Sequence, residues 1–383
     1  MREEFLVFGA PKIEQPEIDS VVECLKSGWL GTGPKTKQFE TDFCDYRGGW
    51  GHPVAVNSCT AALHLSILAA GLNPGDEVIT TPMTFCASVN AILHAGATPV
   101  LADIDPDTMN IDPARIVEKI SGKTKAILPV HFAGRPCDMN AIVAIAKEHD
   151  LKIIEDCAHA IETEYQGQPA GTFGDFGCFS FYVTKNIVTG EGGMILARDE
   201  QDASRLKTLA LHGMSKDAWK RFSDEGYKHY QVVECGFKYN MMDIQAAIGL
   251  NQLKRVETYW KRREEIWKFY NEALADLPIQ LPAAVEPNTR HAYHLYTIFV
   301  DPKEAGITRD EFLVGMTKQN IGVGVHYMSV PEHPYYQQTF GWSPDDFPVA
   351  RDVGRQIVSL PISAKLTDQD TLDVINSIES LLQ

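Results

Sequence analysis

The chain has 383 residues, 44% of them hydrophobic, and a formal net charge of −16. That length accommodates two domains, and the negative charge argues against wholesale binding to nucleic acid or to an anionic membrane surface, while leaving room for a local basic pocket. Eight cysteines are scattered with no C-x-x-C pair, and no apolar run approaches the roughly 18 residues of a membrane span, so the expectation is a cytoplasmic protein with reduced thiols and no metal site.

The first residues, "MREEFLVFGAPKIEQPE", carry charges on both sides of a very short apolar run and do not read as a signal peptide. "GWLGTGPKT" (Gly28 to Thr36) has the outline of a phosphate-binding loop of the G-x-x-x-x-G-K-[ST] kind. Pro34 stands at the lysine position and removes an N–H that such a loop needs, and no apolar strand precedes it. A nucleotide hydrolase is rejected on that ground.

From residue 54 to about 200, short apolar runs alternate with helical patterns. "HPVAVNS", "DEVITTP", "TPVLADID", "KAILPVHFAG" and "KIIEDCAHA" read as strands. "CTAALHLSILAAGL", "FCASVNAILHAG" and "MNAIVAIAKEHD" read as helices between them, and "CFSFY" and "GGMILARD" as two further strands. Continuous apolar strands separated by helices predict an α/β layer with a mostly parallel sheet buried on both faces. One long helix is expected from Ile244 to Leu277, with Ile248, Leu253, Val256, Trp260 and Phe269 on its apolar face. Beyond the connector "LPAAVEPNT", a strand, a helix and a strand ("YHLYTIFVD", "RDEFLVGMTKQN", "IGVGVHY") suggest a smaller C-terminal domain. The expected division is 1–255 for a large domain and 256–383 for a small one.

Ligands of open α/β sheets bind beyond the carboxyl ends of the strands, and three stretches fall there. "NSCTAALHL" begins a helix near Thr60, whose free N–H groups and dipole suit a phosphate; simple capping by Ser58 or Thr60 is the plainer alternative. "IIEDCAHA" puts Asp156 at the end of a buried strand with His159 three residues on. An unpaired buried carboxylate is costly, two ligands are too few for a metal, and a cationic organic ring would serve as partner. "FSFYVTKNIVTGEGGMI" places Ser180 and Lys185 around a turn backed by Gly190, Gly192 and Gly193. A buried lysine gives up its proton easily and becomes a nucleophilic amine, although a lysine in a surface turn is the commoner case. A phosphate cradle, a carboxylate and an amine together match the phosphate, pyridine nitrogen and aldehyde of pyridoxal 5′-phosphate.

These segments, with "SGWLGTGPKTKQFE", "GFKYNMMDIQAAIGL" and "GVHY" in the same order, resemble the DegT/StrS family of pyridoxal-phosphate-dependent sugar aminotransferases over nearly the whole chain. The resemblance implies the fold type I, aspartate-aminotransferase-like architecture. "HGMSKDAWKR" with "FKYNMMDIQAA" looks closest to members that aminate C4 of UDP-linked 4-keto sugars, such as the 4-amino-4-deoxyarabinose aminotransferase. It further implies that Lys185 holds the cofactor through a Schiff base, that Asp156 pairs with the pyridine nitrogen and that His159 lies near the phenolic oxygen. Phe85 would stack on the ring, and the Thr60 and Ala61 amides with the Ser180 hydroxyl would hold the phosphate. Asn240 would reach the phosphate in the neighbouring subunit of a homodimer with shared active sites, and His326 would face the sugar. Cys59 stands where many relatives have glycine. The implied partners are a nucleotide-linked keto sugar and an amino-acid donor, glutamate in most of the family, with ping-pong kinetics. Related sugar dehydratases replace the lysine by histidine, which Lys185 argues against. Non-catalytic regulators of the family are a further alternative, opposed by Asp156, Lys185 and Asn240 together.

Overall fold

The apolar runs of the first half form β1 (His52–Val56), β2 (Glu77–Thr80), β3 (Thr98–Leu101), β4 (Thr124–Leu128), β5 (Lys152–Asp156), β6 (Phe176–Ser180) and β7 (Gly193–Ala197). In this computed structural model, which describes residues 2–215 and 230–382, they make one seven-stranded sheet in the order β1-β7-β6-β5-β4-β2-β3. β2 to β6 pair in parallel, and β7 alone runs against both of its neighbours. Strands such as β6 and β7 are buried at every position because helices cover both faces, which is why they read as unbroken apolar runs. The helix Cys59–Ala69 lies against this sheet with Leu63, Leu65 and Ile67 almost fully enclosed. Lys216 to Arg221 of "HGMSKDAWKR" lie outside the described residues.

A second core surrounds β8 (Tyr296–Phe299) and β9 (Ile357–Leu360), an antiparallel pair packed by Trp267, Tyr270, Phe312 and Val374. Leu6 also joins it, pairing with Ile321, so the start of the chain packs with the C-terminal core.

Three elements differ from expectation. "IGVGVHY" is not a strand; it makes only isolated bridges, Ile321 to Leu6 and Gly324 to Ser359 of β9. The long helix is two, Asp243–Leu253 and Val256–Ala273, broken where Arg255 leaves helical geometry (φ −112°, ψ 3°). The break lets Gln252 and Arg255 both donate to the buried carboxylate of Glu17. The buried stripe of the second helix runs through Tyr259, Arg263, Ile266, Trp267 and Tyr270, and Phe269 is 38% exposed.

The N-terminus of the helix Pro34–Tyr46 explains why the phosphate-loop outline misleads. Asp243 accepts the N–H groups of Gly33, Lys35 and Thr36 and the Thr36 hydroxyl, at 2.7 to 3.1 Å. A carboxylate already fills the anion position. Asp243→Ala would leave three backbone donors without their acceptor in a buried place, and should cost about 2–4 kcal/mol. The urea midpoint should fall with an unchanged m-value; an unmoved midpoint would refute the capping role.

Candidate active site

Because the parallel strands share one direction, their carboxyl ends meet at one edge of the sheet. Four loops converge there, beside the start of β7: Asn57–Cys59 after β1, Thr81–Phe85 after β2, Cys157–His159 after β5 and Phe181–Gly192 after β6. They enclose a cavity of about 480 Å³ lined by Thr60, Phe85, Asp156, His159, Ser180, Lys185 and His326 among others. Seven residues expected from widely separated stretches are thus brought together. Gly193 allows the close fit, since a Cβ there would stand 2.6 Å from the Ser58 backbone.

Lys185 sits on the loop between β6 and β7, whose base is closed by Phe181 N–H to Gly192 O and Thr189 N–H to Phe181 O. Burial lowers its pKa from the ordinary value to about 8, against opposition from Cys59 and Asp156. Among the described residues its Nζ has no hydrogen-bond or ion-pair partner. The amine is therefore free to react.

Asp156, the last residue of β5, is buried. Its Oδ1 accepts the Ala158 N–H at 3.1 Å and its Oδ2 accepts the Ser88 hydroxyl at 2.8 Å. With that proton committed, Thr84 Oγ1 donates to Ser88 at 2.8 Å. Burial raises the Asp156 pKa, and the two hydrogen bonds and Lys185 oppose the rise. Each carboxylate oxygen keeps a lone pair for a cationic partner.

His159 accepts the Ala133 N–H at Nδ1 (3.2 Å) and lies 3.1 Å from the Tyr327 hydroxyl at Nε2. Burial, then Lys185 and His326, push its pKa well down, so the ring is neutral. His326 contacts Ser359 Oγ at 2.9 Å and stacks on Phe8; its pKa is pushed down to about 4 by burial and Lys185. Phe85 is 57% exposed and leans over the cavity mouth, 6.0 Å from the Tyr327 ring.

At the phosphate end, Ser58 caps the helix by accepting the Ala61 N–H at 3.1 Å, and Ala61 is not among the cavity-lining residues. Thr60 lines the cavity one residue earlier, and Ser180 faces it from the end of β6. Asn240 is not brought to the cavity within one chain. It bridges to Val56, and its amide donates to Thr32 Oγ1 at 2.6 Å while accepting from Lys238.

Sequence reasoning missed Thr84, Ser88 and Tyr327. It also missed the layer behind Lys185, where Asn186 donates to Glu162 and to Ala292 O and meets His294 Nδ1 at 2.9 Å. The "HAYH" pattern at 291–294 is the one local signal that pointed toward it. Elsewhere, His131, Glu155 and Cys157 bring their ligand atoms within 4.8 Å. The carboxylate there already accepts from His131 and from the Gly171, Phe173 and Gly174 amides, so it ties down a loop.

A free amine and a buried carboxylate at the carboxyl edge of a mostly parallel sheet, with a helix N-terminus lining the same cavity, fit the aldehyde, pyridine nitrogen and phosphate of pyridoxal 5′-phosphate. The chemistry is that of a vitamin B6 enzyme. Comparison with known proteins makes the class specific: the chain belongs to the DegT/DnrJ/EryC1/StrS aminotransferase family, whose sequence pattern matches residues 11–379. It is 48% identical over 383 residues to the spore coat polysaccharide biosynthesis protein SpsC of Bacillus subtilis, covering 100% of this chain and 98% of that one. Among solved structures, the PLP form of the sugar aminotransferase Spr1654 from Streptococcus pneumoniae, itself described as putative, matches with TM-score 0.91 at 33% identity, covering 98% of each chain. PseC of Helicobacter pylori, an aminotransferase involved in the biosynthesis of pseudoaminic acid, matches with TM-score 0.91 at 30% identity over 99% of each chain. The fold is the type I, aspartate-aminotransferase-like one, and the cofactor is pyridoxal 5′-phosphate. No helix among the described residues is long and apolar enough to cross a membrane.

Proposed function

We propose that this enzyme moves an amino group from L-glutamate to C4 of a UDP-linked 4-keto sugar. The observation that carries the reading is the unpartnered Lys185 amine sharing one cavity with buried Asp156. A sugar acceptor is supported by the relatives, which serve polysaccharide and pseudoaminic acid biosynthesis. Pyridoxal phosphate, when bound, supplies an aldehyde and an electron sink. Lys185 would hold it and, once displaced by the donor, take the proton from the donor's α-carbon. Asp156 would keep the ring nitrogen protonated, since an adjacent carboxylate favours the charged form. Thr60 N–H and the Ser180 hydroxyl would hold the phosphate, with Ala61 behind them once Ser58 releases its amide. Phe85 would cover the ring, His159 would stand near its phenolic oxygen, and His326 would face the sugar. Donor and acceptor use the same cavity in turn, so the kinetics are ping-pong. Residues 1–255 and 256–383 form the large and small domains in this reading, with the segment around Leu6 returning to the second.

Incubation with glutamate and a panel of nucleotide keto sugars, read by mass, tests the substrate. Amination confined to sugars other than UDP-4-keto sugars would replace this acceptor.

The catalytic unit in this reading is a homodimer in which Asn240 acts across the interface. An apolar face supports it: Ile18, Val22 and Leu25 recur at helical spacing on the helix Gln15–Ser27, with Trp29 just beyond its end, and Leu25 and Trp29 are 56% and 55% exposed. An amide can donate to a phosphate oxygen without adding charge. Subunits carrying Lys185→Ala are mixed with subunits carrying Asn240→Ala under conditions that allow exchange. Action in trans gives each mixed dimer one intact site, so activity should return in part. Absence of rescue despite demonstrated exchange would count against the shared site, given parents that are each nearly inactive.

A further inference from the structure

The direction of the hydrogen bonds around His159 is set by the backbone. An amide N–H can only donate, and that of Ala133 donates to His159 Nδ1 at 3.2 Å. A neutral imidazole carries one proton, which must then be on Nε2, facing the Tyr327 hydroxyl at 3.1 Å. Tyr327 Oη is therefore the acceptor in that contact. His294, its ring tilted against that of His159 with centroids 4.4 Å apart, makes its own hydrogen bond elsewhere. Asn186 spends its amide hydrogens on Glu162 and Ala292 O, so its Oδ1 accepts from His294 Nδ1 and fixes that tautomer too.

The Tyr327 hydroxyl hydrogen must point away from His159. Among the described residues it has no other hydrogen-bond partner. Its ring stands where the Lys185 cavity meets a second one of about 620 Å³, and Thr84 and Phe85 are the other residues common to both. Tyr327 therefore puts a hydroxyl at the junction of the two cavities, within the Lys185 cavity where a ketone must come to react.

We propose that Tyr327 is a catalytic residue whose O–H donates to the oxygen of the carbonyl being aminated. This rests on the aminotransferase reading with a keto acceptor. A donor held in place by its neighbour stabilises charge that builds on the oxygen as nitrogen adds to the carbon. The pair passes no proton: His159 has only one to give, and Ala133 cannot replace it. Tyr327 is a hydrogen-bond donor of fixed polarity and not an acid.

The polarity is read without substrate, by ¹⁵N-histidine NMR of the full-length, cofactor-free protein, with His159 assigned from the signal lost in His159→Gln. The expected result is protonation at Nε2 alone and no titration from about pH 6 to 9. An Nδ1-protonated or titrating ring would overturn the proposal. The chemical role is read with 2-oxoglutarate as the carbonyl probe, in single turnovers of enzyme first converted by glutamate. Tyr327→Phe should slow the turnover about 10- to 100-fold with little change in half-saturation. His159→Glu, which can only accept and so turns the hydroxyl away from the cavity, should lose as much, and the double variant no more. His159→Gln can accept from Ala133 and still donate to Tyr327, so it should lose less than His159→Glu. A Tyr327→Phe rate within about twofold of wild type overturns the assignment. A wild type that never reacts with 2-oxoglutarate overturns the glutamate reading instead, and the NMR result then decides Tyr327's polarity by itself.

Discussion

Lys185→Ala is expected to fold normally and to lose turnover by at least about 10⁴-fold, the scale seen when a covalent nucleophile is removed. Among the described residues no other lysine lines the cavity. Truncation should not unfold the chain, because among the described residues the Nζ makes no bond. It also removes an amine whose protonated form is penalised by burial, as the fall in pKa to about 8 shows. The direction of that shift predicts a pH dependence. Below about 8 the side chain is an ammonium and cannot attack an aldehyde; above it the free amine dominates. Capture of pyridoxal phosphate by the cofactor-free protein should therefore quicken as pH rises through about 8 and then level off. Borohydride reduction of the loaded enzyme, followed by peptide mapping, should place the label on the peptide containing Lys185. Label on any other lysine sinks the assignment.

The parts of this molecule legible in its sequence are those encoded locally. β6 and β7 are continuous apolar runs because both their faces are covered, and that signal needs no knowledge of the partner strand. Their order is not local, and it could not be read. "IGVGVHY" has the alternation of a strand, yet its glycines mark close approach. A Cβ on Gly322 would meet Leu6 O at 2.7 Å, and one on Gly324 would meet the His326 ring at 2.9 Å. The pairing strand is β9, a four-residue run too short to stand out. Periodicity also placed Phe269 inside the second long helix where Tyr270 belongs. The break falls at Arg255, where Gln252 and Arg255 meet Glu17, far away in sequence.

The site divides the same way. Asp156 ends a buried strand and Lys185 lies in the loop after another, where a charged residue is conspicuous from its neighbours alone. Ser88 is 68 residues from Asp156, and Tyr327 is 168 from His159, so nothing local marks either one. Asn240 lies beside β1 and outside its own chain's cavity, and only a resemblance gives it a role.

Asp156→Asn should separate charge from shape at the cavity floor. The amide oxygen can keep the Ala158 N–H bond that Oδ1 now accepts. The amide nitrogen then faces Ser88, which at present donates to Oδ2. A hydroxyl can turn: Ser88 Oγ would accept from the new amide and pass its own hydrogen to Thr84 Oγ1, 2.8 Å away. Every bond in the group survives with the Thr84–Ser88 direction reversed. The fold should therefore hold, and the cofactor-free variant should unfold at the same temperature or higher. The sign follows from the shift: burial raises the Asp156 pKa, so the ionised form opposes folding at neutral pH until a cationic partner arrives. What the variant loses is the negative charge that favours a protonated ring nitrogen. Preorganised contacts of that kind are worth about 3 kcal/mol or more, so kcat should fall at least about 100-fold. Steady-state rates at saturating pyridoxal phosphate, beside thermal unfolding of the empty protein, check both halves. Near-normal kcat would refute the electrostatic role, and a loss of cofactor affinity with kcat intact would make Asp156 a holding residue instead.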